Sequence, residues 1–249
     1  MYKTIYLFGD SHARSFTVEK QLIVTPNLKI INCFKDSATI KGLTNSESKL
    51  KYGIKIIDIL KNIEDKGAAI IVLKLGQVDV EYGFLFKRLV LGEKITLEDF
   101  CNELILKYKQ FIESIKKIHD FRIIICSANI PNYKSEEYFH DYLIFIFQVL
   151  PNSKEKRVIT DAIVNQIKDA KILEQIKNIH FFNQKLCKFC IDNHRTFLNT
   201  TKQFLDRKTG FIKKKFLGQD NHYKDVGGQS KDGLTQKIFI KKLLELCNK

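Results

Sequence analysis

Short, nearly unbroken apolar runs alternate along this chain with longer stretches in which apolar residues recur every three or four positions. Thr4–Phe8 (TIYLF) and Leu28–Phe34 (LKIINCF) have strand length. Ala69–Leu75 (AIIVLKL) is almost continuously apolar, the pattern of a strand buried on both faces. Arg122–Ser127 (RIIICS) has the same character, and Thr196–Asn199 (TFLN) makes a weaker fifth. Between them, Ser46–Glu64 carries Leu50, Ile54, Ile57 and Leu60 close to the helical period. Leu97–His119 repeats Phe100, Leu104, Tyr108, Phe111, Ile115 and Ile118 behind a Thr96 cap, with Asp99 three residues on. Further helices are predicted over 155–177, 183–194 and Leu234–Cys247.

Strands alternating with helices predict right-handed βαβ crossovers. The expected architecture is α/β, a three-layer α/β/α arrangement around a mostly parallel, five-stranded, flavodoxin-like sheet. No linker or internal repeat divides the 249 residues, so one domain over 1–249 is expected, whether whole or excised from a longer chain.

Composition narrows the class without choosing a function. Apolar residues at 44% and charged residues at 28% are ordinary for a globular protein. No apolar run reaches the roughly 18 residues of a membrane span, and Met1–Tyr6 leads straight into a strand with no signal peptide, so a cytoplasmic location is expected. Cysteines at 33, 101, 126, 187, 190 and 247 lie mostly in apolar segments and read as buried free thiols. Cys187 and Cys190 with His180 and His194 offer a zinc-like grouping. Positions 187, 190 and 194 also share one helix face, and that reading is preferred, so no metal is expected.

The formal charge of +14 is large but scattered, with one run at Lys213–Lys215 that reads as a solvated edge. Zinc-finger spacing, a recognition helix and an aromatic RNA-binding signature are all missing, so nucleic acid is not the expected partner. An anionic small substrate, such as a nucleotide-sugar or acyl-coenzyme A, suits the same field.

In parallel sheets, functional residues gather at the carboxyl ends of the strands. Here those places hold Gly9-Asp10-Ser11-His12, Asp36–Leu43, Gly76–Glu81, Ser127–Asn129 and, after the last strand, Gly218–Tyr223. Ser11 follows a tight Gly-Asp turn and precedes a helical stretch, so it fits either a nucleophile or a helix cap. A serine hydroxyl needs a base to take its proton. His222 is the candidate, in a polar loop behind Asp220, whereas His12 is expected to point elsewhere.

Together these blocks resemble the SGNH (GDSL-type) hydrolase superfamily, in order and over nearly the whole chain. The resemblance implies Ser11 as nucleophile and His222 as base. "IKGLTNSES", "LGQVDVEYGF" and "DNHY" resemble a branch associated with polysaccharide synthesis more than the lipases. Three departures stand out. Val78 occupies the place of the asparagine in the family's Gly-x-Asn-Asp block, which leaves Gln77 as a substitute oxyanion donor. The second-block glycine matches Gly42, with Asp36 nearer the expected place, and Asn45 follows as a substrate-binding candidate. Gln219 stands where the family aspartate would be, and Asp220 is one residue closer to His222. A full triad through Asp220 and a Ser–His dyad both fit.

Asp79 and Glu81, two apart after a buried strand, would face the same side on extended backbone. They fit substrate binding or acid–base work, or else an Asp79 that bonds the Ser11 loop and a Glu81 that pairs with Lys87 or Arg88. Tyr82, Phe84 and Phe86 fit a sugar platform or packing, and His140 a core or lid position. The resemblance implies serine-dependent acyl transfer on a carbohydrate, with the oxyanion held by N–H groups of Ser11 and Gly42. Acetyl transfer to a sugar or nucleotide-sugar is narrowly favoured, with acetyl-coenzyme A as donor substrate and no tightly bound cofactor. A carbohydrate esterase or deacetylase and a non-catalytic sugar-binding module are the alternatives.

Overall fold

The computed structural model describes residues 3–17, 21–149, 159–218, 222–224 and 233–247. Six strands among them form one sheet: β1 (Lys3–Gly9), β2 (Gln21–Thr25), β3 (Leu28–Asn32), β4 (Ala69–Lys74), β5 (Arg122–Cys126) and β6 (Thr196–Leu198). Their order is β2-β3-β1-β4-β5-β6, and every pairing is parallel except β2 with β3. The five strands expected from the hydrophobic runs are the parallel ones. The sixth, β2, is an antiparallel edge strand whose Ile23 is two-thirds exposed, so no buried run announced it.

Among the described residues eight helices accompany the sheet: α1 (Ile40–Leu43), α2 (Tyr52–Lys61), α3 (Leu97–Lys116), α4 (Glu136–Val149), α5 (Asp161–Asp169), α6 (Ile172–Asp192), α7 (Thr201–Phe204) and α8 (Leu234–Cys247). A 3-10 turn covers Ser11–Ser15, and π-helical turns cover Asp79–Gly83 and Phe86–Val90. No helix among the described residues is long and apolar enough to cross a membrane.

Both faces of the sheet are covered, which is why the central runs lack a polar alternation. On one face Phe8, Ile71, Leu73, Ile123 and Ile125 pack with Leu60, Leu104, Tyr108 and Phe182. On the other, Ile5, Leu7, Ile70, Val72 and Ile124 meet Phe16, Phe204, Phe239 and Leu243.

Helix α3 forms where expected, with Thr96 Oγ1 accepting from the Asp99 N–H at 3.0 Å. The stretch 46–64 yields only α2, because Lys51 before it takes a left-handed φ of 46°. Within 155–177 the chain breaks at Ala170, whose ψ of 137° is extended, and α6 then takes in 183–192 as well, ending before His194, whose φ of 50° puts it off the helix face it was expected to share. Cys187 and Cys190 lie on this helix, Cys190 in the core. Helix α4 was hidden because Tyr142–Phe147 is apolar on every side. It buries Phe139, Leu143 and Phe147, four residues apart, and leaves Phe145 exposed.

The chain leaves β1 toward β3 on one side and later returns to β4 on the other. The crevice at the carboxyl ends of β1 and β4 is therefore the topological switch point, where such sheets bind ligands. Ser11 stands there.

Candidate active site

Gly9 ends β1 so close to β4 that a Cβ would lie 2.5 Å from the Lys74 carbonyl oxygen and 2.7 Å from Ala13 Cβ. A side chain is excluded, and the backbone turns at once into the 3-10 turn. Its N–H donates to the buried Tyr52 hydroxyl at 3.0 Å, which in turn donates to the Cys33 carbonyl at 2.6 Å. Asp10 is the cap: its Oδ1 accepts from the His12 N–H at 2.9 Å. Ser11 is therefore not the capping residue. Its half-buried Oγ lies 2.8 Å from His222 Nε2, across 211 residues of sequence.

The His222 loop is fastened by its neighbours. Asn132 Nδ2 donates to the His222 carbonyl, and the Tyr223 hydroxyl accepts from the Ile130 N–H at 2.9 Å. Tyr223 packs on Phe204, ring centroids 4.6 Å apart. A Cβ on Gly218 would overlap the His222 carbonyl oxygen and come within 3.2 Å of Asn132 Nδ2. Gly218→Ala is thus expected to push the imidazole out of line. Its effect should be a fall in turnover of about a hundredfold, the usual consequence of an ångström-scale displacement. Parallel turnover assays and melting curves on the variant check this. Turnover within a factor of three of wild type would contradict it.

Several sequence expectations are corrected here. Gln77 is buried, its Nε2 donating to Glu81 Oε2 and its Oε1 accepting from the Asn129 N–H at 2.6 Å. The Gly42 N–H donates to Thr39 Oγ1 at 3.0 Å, the N-cap bond of α1. Asn45 forms a local turn, its Oδ1 accepting from the Glu47 N–H at 3.0 Å. Asp36 is exposed and bridges to Arg14 at 3.1 Å. Asp220 and Gln219 lie outside the described residues.

Asp79 and Glu81 do not sit on extended backbone. The π-helical turn sends them to different partners, because successive helical positions rotate rather than alternate. Asp79 accepts from the Ile40 N–H at 2.7 Å and the Lys41 N–H at 3.4 Å, anchoring the start of α1 rather than the Ser11 loop. Glu81 is fully buried and takes Gln77 and the Tyr133 hydroxyl, while Lys87 pairs with Glu93 at 2.7 Å and Arg88 lies over Phe84. Phe84 packs on Phe100 and Phe86 on Phe147, and the Tyr82 hydroxyl meets that of Tyr133 at 3.0 Å. The aromatics therefore pack instead of forming a platform. His140 donates from Nε2 to the Ala170 carbonyl at 2.8 Å and joins α4 to the C-terminal cap of α5. In the basic run, Lys213 Nζ donates to the Gln203 carbonyl at 2.8 Å.

Burial raises the Asp79 pKa to about 6, against the pull of its two N–H donors and Lys41. The folded state then holds a proton that the unfolded chain releases at ordinary carboxylate pH. Stability from this group is present at low pH and lost as pH rises through about 6. Asp79→Asn removes the titration. From pH 4 to 7 its unfolding free energy should gain on that of the wild type by about 2 kcal/mol. Urea unfolding at both pH values measures the difference, and a pH-independent gap would refute the assignment.

His12 was expected to point away but turns inward. It is 2% exposed, its Nδ1 lies 3.2 Å from Asp10 Oδ1, and its ring centroid is 4.7 Å from that of His222. The 3-10 turn causes this, rotating the residue after Ser11 beneath the site. Lys74, equally buried at the end of β4, donates to the Ser127 carbonyl at 3.0 Å and to Asn129 Oδ1 at 2.7 Å. Burial lowers its pKa, while Asp10 opposes that effect. Asn129 lies in one of the strand-end blocks, whereas Lys74, like Asn132, escaped sequence reading. Lys74 alone left a signal, as the one charge inside an apolar strand.

No family model and no curated protein sequence matches the chain. Solved structures do match its fold. A GDSL-like lipase from Bacteroides thetaiotaomicron aligns at 13% identity over 98% of this chain and 89% of its own, TM-score 0.50. An acetylxylan esterase from Geobacillus stearothermophilus, solved as a catalytic mutant, aligns at 11% identity over 98% and 93%, TM-score 0.53. The periplasmic domain of a lipopolysaccharide acetyltransferase from Salmonella ser. Paratyphi A aligns at 12% identity over 100% and 85%, TM-score 0.55.

Proposed function

Starting from a fold of the SGNH hydrolase type, we propose that this chain is a serine-dependent acyltransferase acting on carbohydrate, with acetyl as the transferred group. The observation that carries the reading is the 2.8 Å contact between Ser11 Oγ and His222 Nε2 at the switch point of the sheet. Ser11 Oγ attacks the acyl carbonyl while His222 Nε2 takes its proton. The tetrahedral oxyanion is met by the Ser11 N–H at the head of the 3-10 turn. Collapse expels the donor's leaving group, which receives the proton from His222. An acceptor hydroxyl then gives its proton to His222 and attacks the acyl-serine, and the proton returns to Ser11.

Transfer to a sugar or nucleotide-sugar, rather than to water, is supported by the charge of +14, which favours two anionic substrates. Acetyl-coenzyme A would then be the donor substrate and the location cytoplasmic. The second reading is an esterase or deacetylase, which the likeness to an acetylxylan esterase favours.

Incubation with acetyl-coenzyme A and a panel of nucleotide-sugars, read by mass spectrometry, separates the two. Acetyl gain on an acceptor is expected. Loss of acetyl from an acetylated sugar, with no gain on any acceptor, would establish the esterase in its place.

A further inference from the structure

We propose that the cavity between the π-helical segment after β4 and the head of α6 is a binding site for an anionic saccharide, which seats the acidic residue of an extended acceptor. Its role as an acceptor site rests on the acyl-transfer reading of Ser11 and His222; the binding itself does not.

The cavity measures about 860 Å³, within the range of sites that enclose a small organic ligand. One wall comes from the stretch between Phe84 and Leu97, and the other from the first turns of α6, Glu174 to Asn178. Helices α3 and α6 each lead into a parallel strand, β5 and β6, so both begin at the carboxyl end of the sheet. The cavity therefore lies at the end of the molecule that holds Ser11, and it shares no residue with the Ser11–His222 pair.

Its charge is unbalanced. Glu93 is spent on Lys87 at 2.7 Å. Arg88, Lys94 and Lys177 form no ion pair among the described residues, and Glu174 is the one unpaired carboxylate on the walls. Arg88 is steadied over the Phe84 ring, 5.5 Å from its centroid, which holds a guanidinium at the wall with its donors available. A carboxylate or phosphate group matches this set.

The wall from α6 is polar in a different way. Gln175 and Asn178, three apart, present two carboxamides along one helix face. Gln175 is 1% exposed and its Oε1 accepts no hydrogen bond, an uncommon state for a buried amide. A small rotation of its terminal torsion meets a donor seated in the cavity. A carboxamide both donates and accepts, as does a sugar hydroxyl. Phe84 is the one aromatic wall and is 4% exposed beneath Arg88, so no open ring face is offered to a nucleobase. Cations, two carboxamides and no stacking face together match a saccharide that carries an oxyanion.

Binding to the full chain, without acyl donor, tests the inference. Glucuronic acid, glucose 6-phosphate, glucose and inorganic phosphate are titrated at millimolar concentration, with nitrogen–proton NMR spectra of the backbone amides as the readout. Both anionic sugars should move the resonances of Gly92, Lys94, Gln175 and Asn178. Glucose and phosphate should each bind at least about tenfold more weakly. Gln175→Leu removes the carboxamide without stranding a partner. It should weaken glucuronic acid about tenfold and leave the melting temperature at or above the wild-type value. Lys177→Gln, an exposed change, should weaken the same sugar about threefold or more. Phosphate bound as tightly as glucose 6-phosphate would reduce the site to an anion patch and overturn the proposal. Unmoved resonances at these residues with both anionic sugars would overturn it as well. So does wild-type affinity in Gln175→Leu; should that variant not fold, wild-type affinity in Lys177→Gln is sufficient. Intact binding with no acyl transfer to any acceptor would remove the proposed function and the acceptor role, and support the saccharide site alone.

Discussion

Ser11→Ala is expected to lower kcat/KM for acyl turnover by a factor of about 10⁴ or more, leaving only what binding and oxyanion donors provide. The argument is geometric. Ser11 Oγ is the group placed 2.8 Å from His222 Nε2, and among the described residues no neighbouring hydroxyl is positioned to replace it. Ser15 Oγ is buried one turn away, and Ser127 and Thr200 are turned toward each other below. The capping bond is made by Asp10, so removing the Ser11 hydroxyl leaves the turn intact. Melting temperature should stay within a few degrees of wild type, since deleting a half-buried hydroxyl costs little where no buried partner is stranded. Labelling of Ser11 by a fluorophosphonate should vanish in the same variant. Turnover within tenfold of wild type would show that the acyl group is attacked by something else.

Gly53→Ala should be the most damaging of the small substitutions, costing about 3 kcal/mol or more in unfolding free energy. Gly53 lies in the first turn of α2, where a Cβ would overlap the Leu43 carbonyl oxygen, 2.7 Å from its carbon and 2.9 Å from its Cα. The obstacle is backbone, so no rotamer change relieves it. Relief requires α1 and α2 to part. That in turn strains Asp79, which bonds the start of α1, and Tyr52, whose hydroxyl receives the Gly9 N–H. Stability and site are therefore coupled at this point. A fall in urea midpoint with an unchanged slope measures the effect, and turnover at a temperature where the variant stays folded should fall as well. A midpoint equal to wild type would mean the helices are not in the contact described.

Alanine within a helix is ordinarily stabilising relative to glycine by about 1 kcal/mol. The sequence alone therefore predicts the opposite sign for Gly53→Ala. Local propensity favours the substitution and packing forbids it, because the close approach joins residues ten apart on separate helices.

The same division holds for the whole molecule. Runs such as Ala69–Lys74 and Arg122–Cys126 were legible as parallel strands, because burial on both faces removes polar residues from consecutive positions. The crevice position of Ser11 followed from where the first such run ends, and His222 from the chemistry a serine needs. Helix α4 and the edge strand β2 were not legible, because an apolar run without polar gaps and a solvent-facing strand both lack a period to detect. The partners of Asp79, Glu81, Gln77 and Gly42 were also out of reach. Each is a polar group whose role depends on which buried donor or acceptor lies nearest, and burial leaves no such group without competition for one. Sequence by itself determined the layers and the parallel strands, because those follow from hydrophobic period, and it offered Ser11 and His222 as a candidate pair because a serine needs a base. Only the tertiary structure decided which polar residues face Ser11 and which are spent in the core, because contacts such as Asp79 with Ile40, 39 residues apart, and Ser11 with His222, 211 apart, join distant segments and are settled by packing.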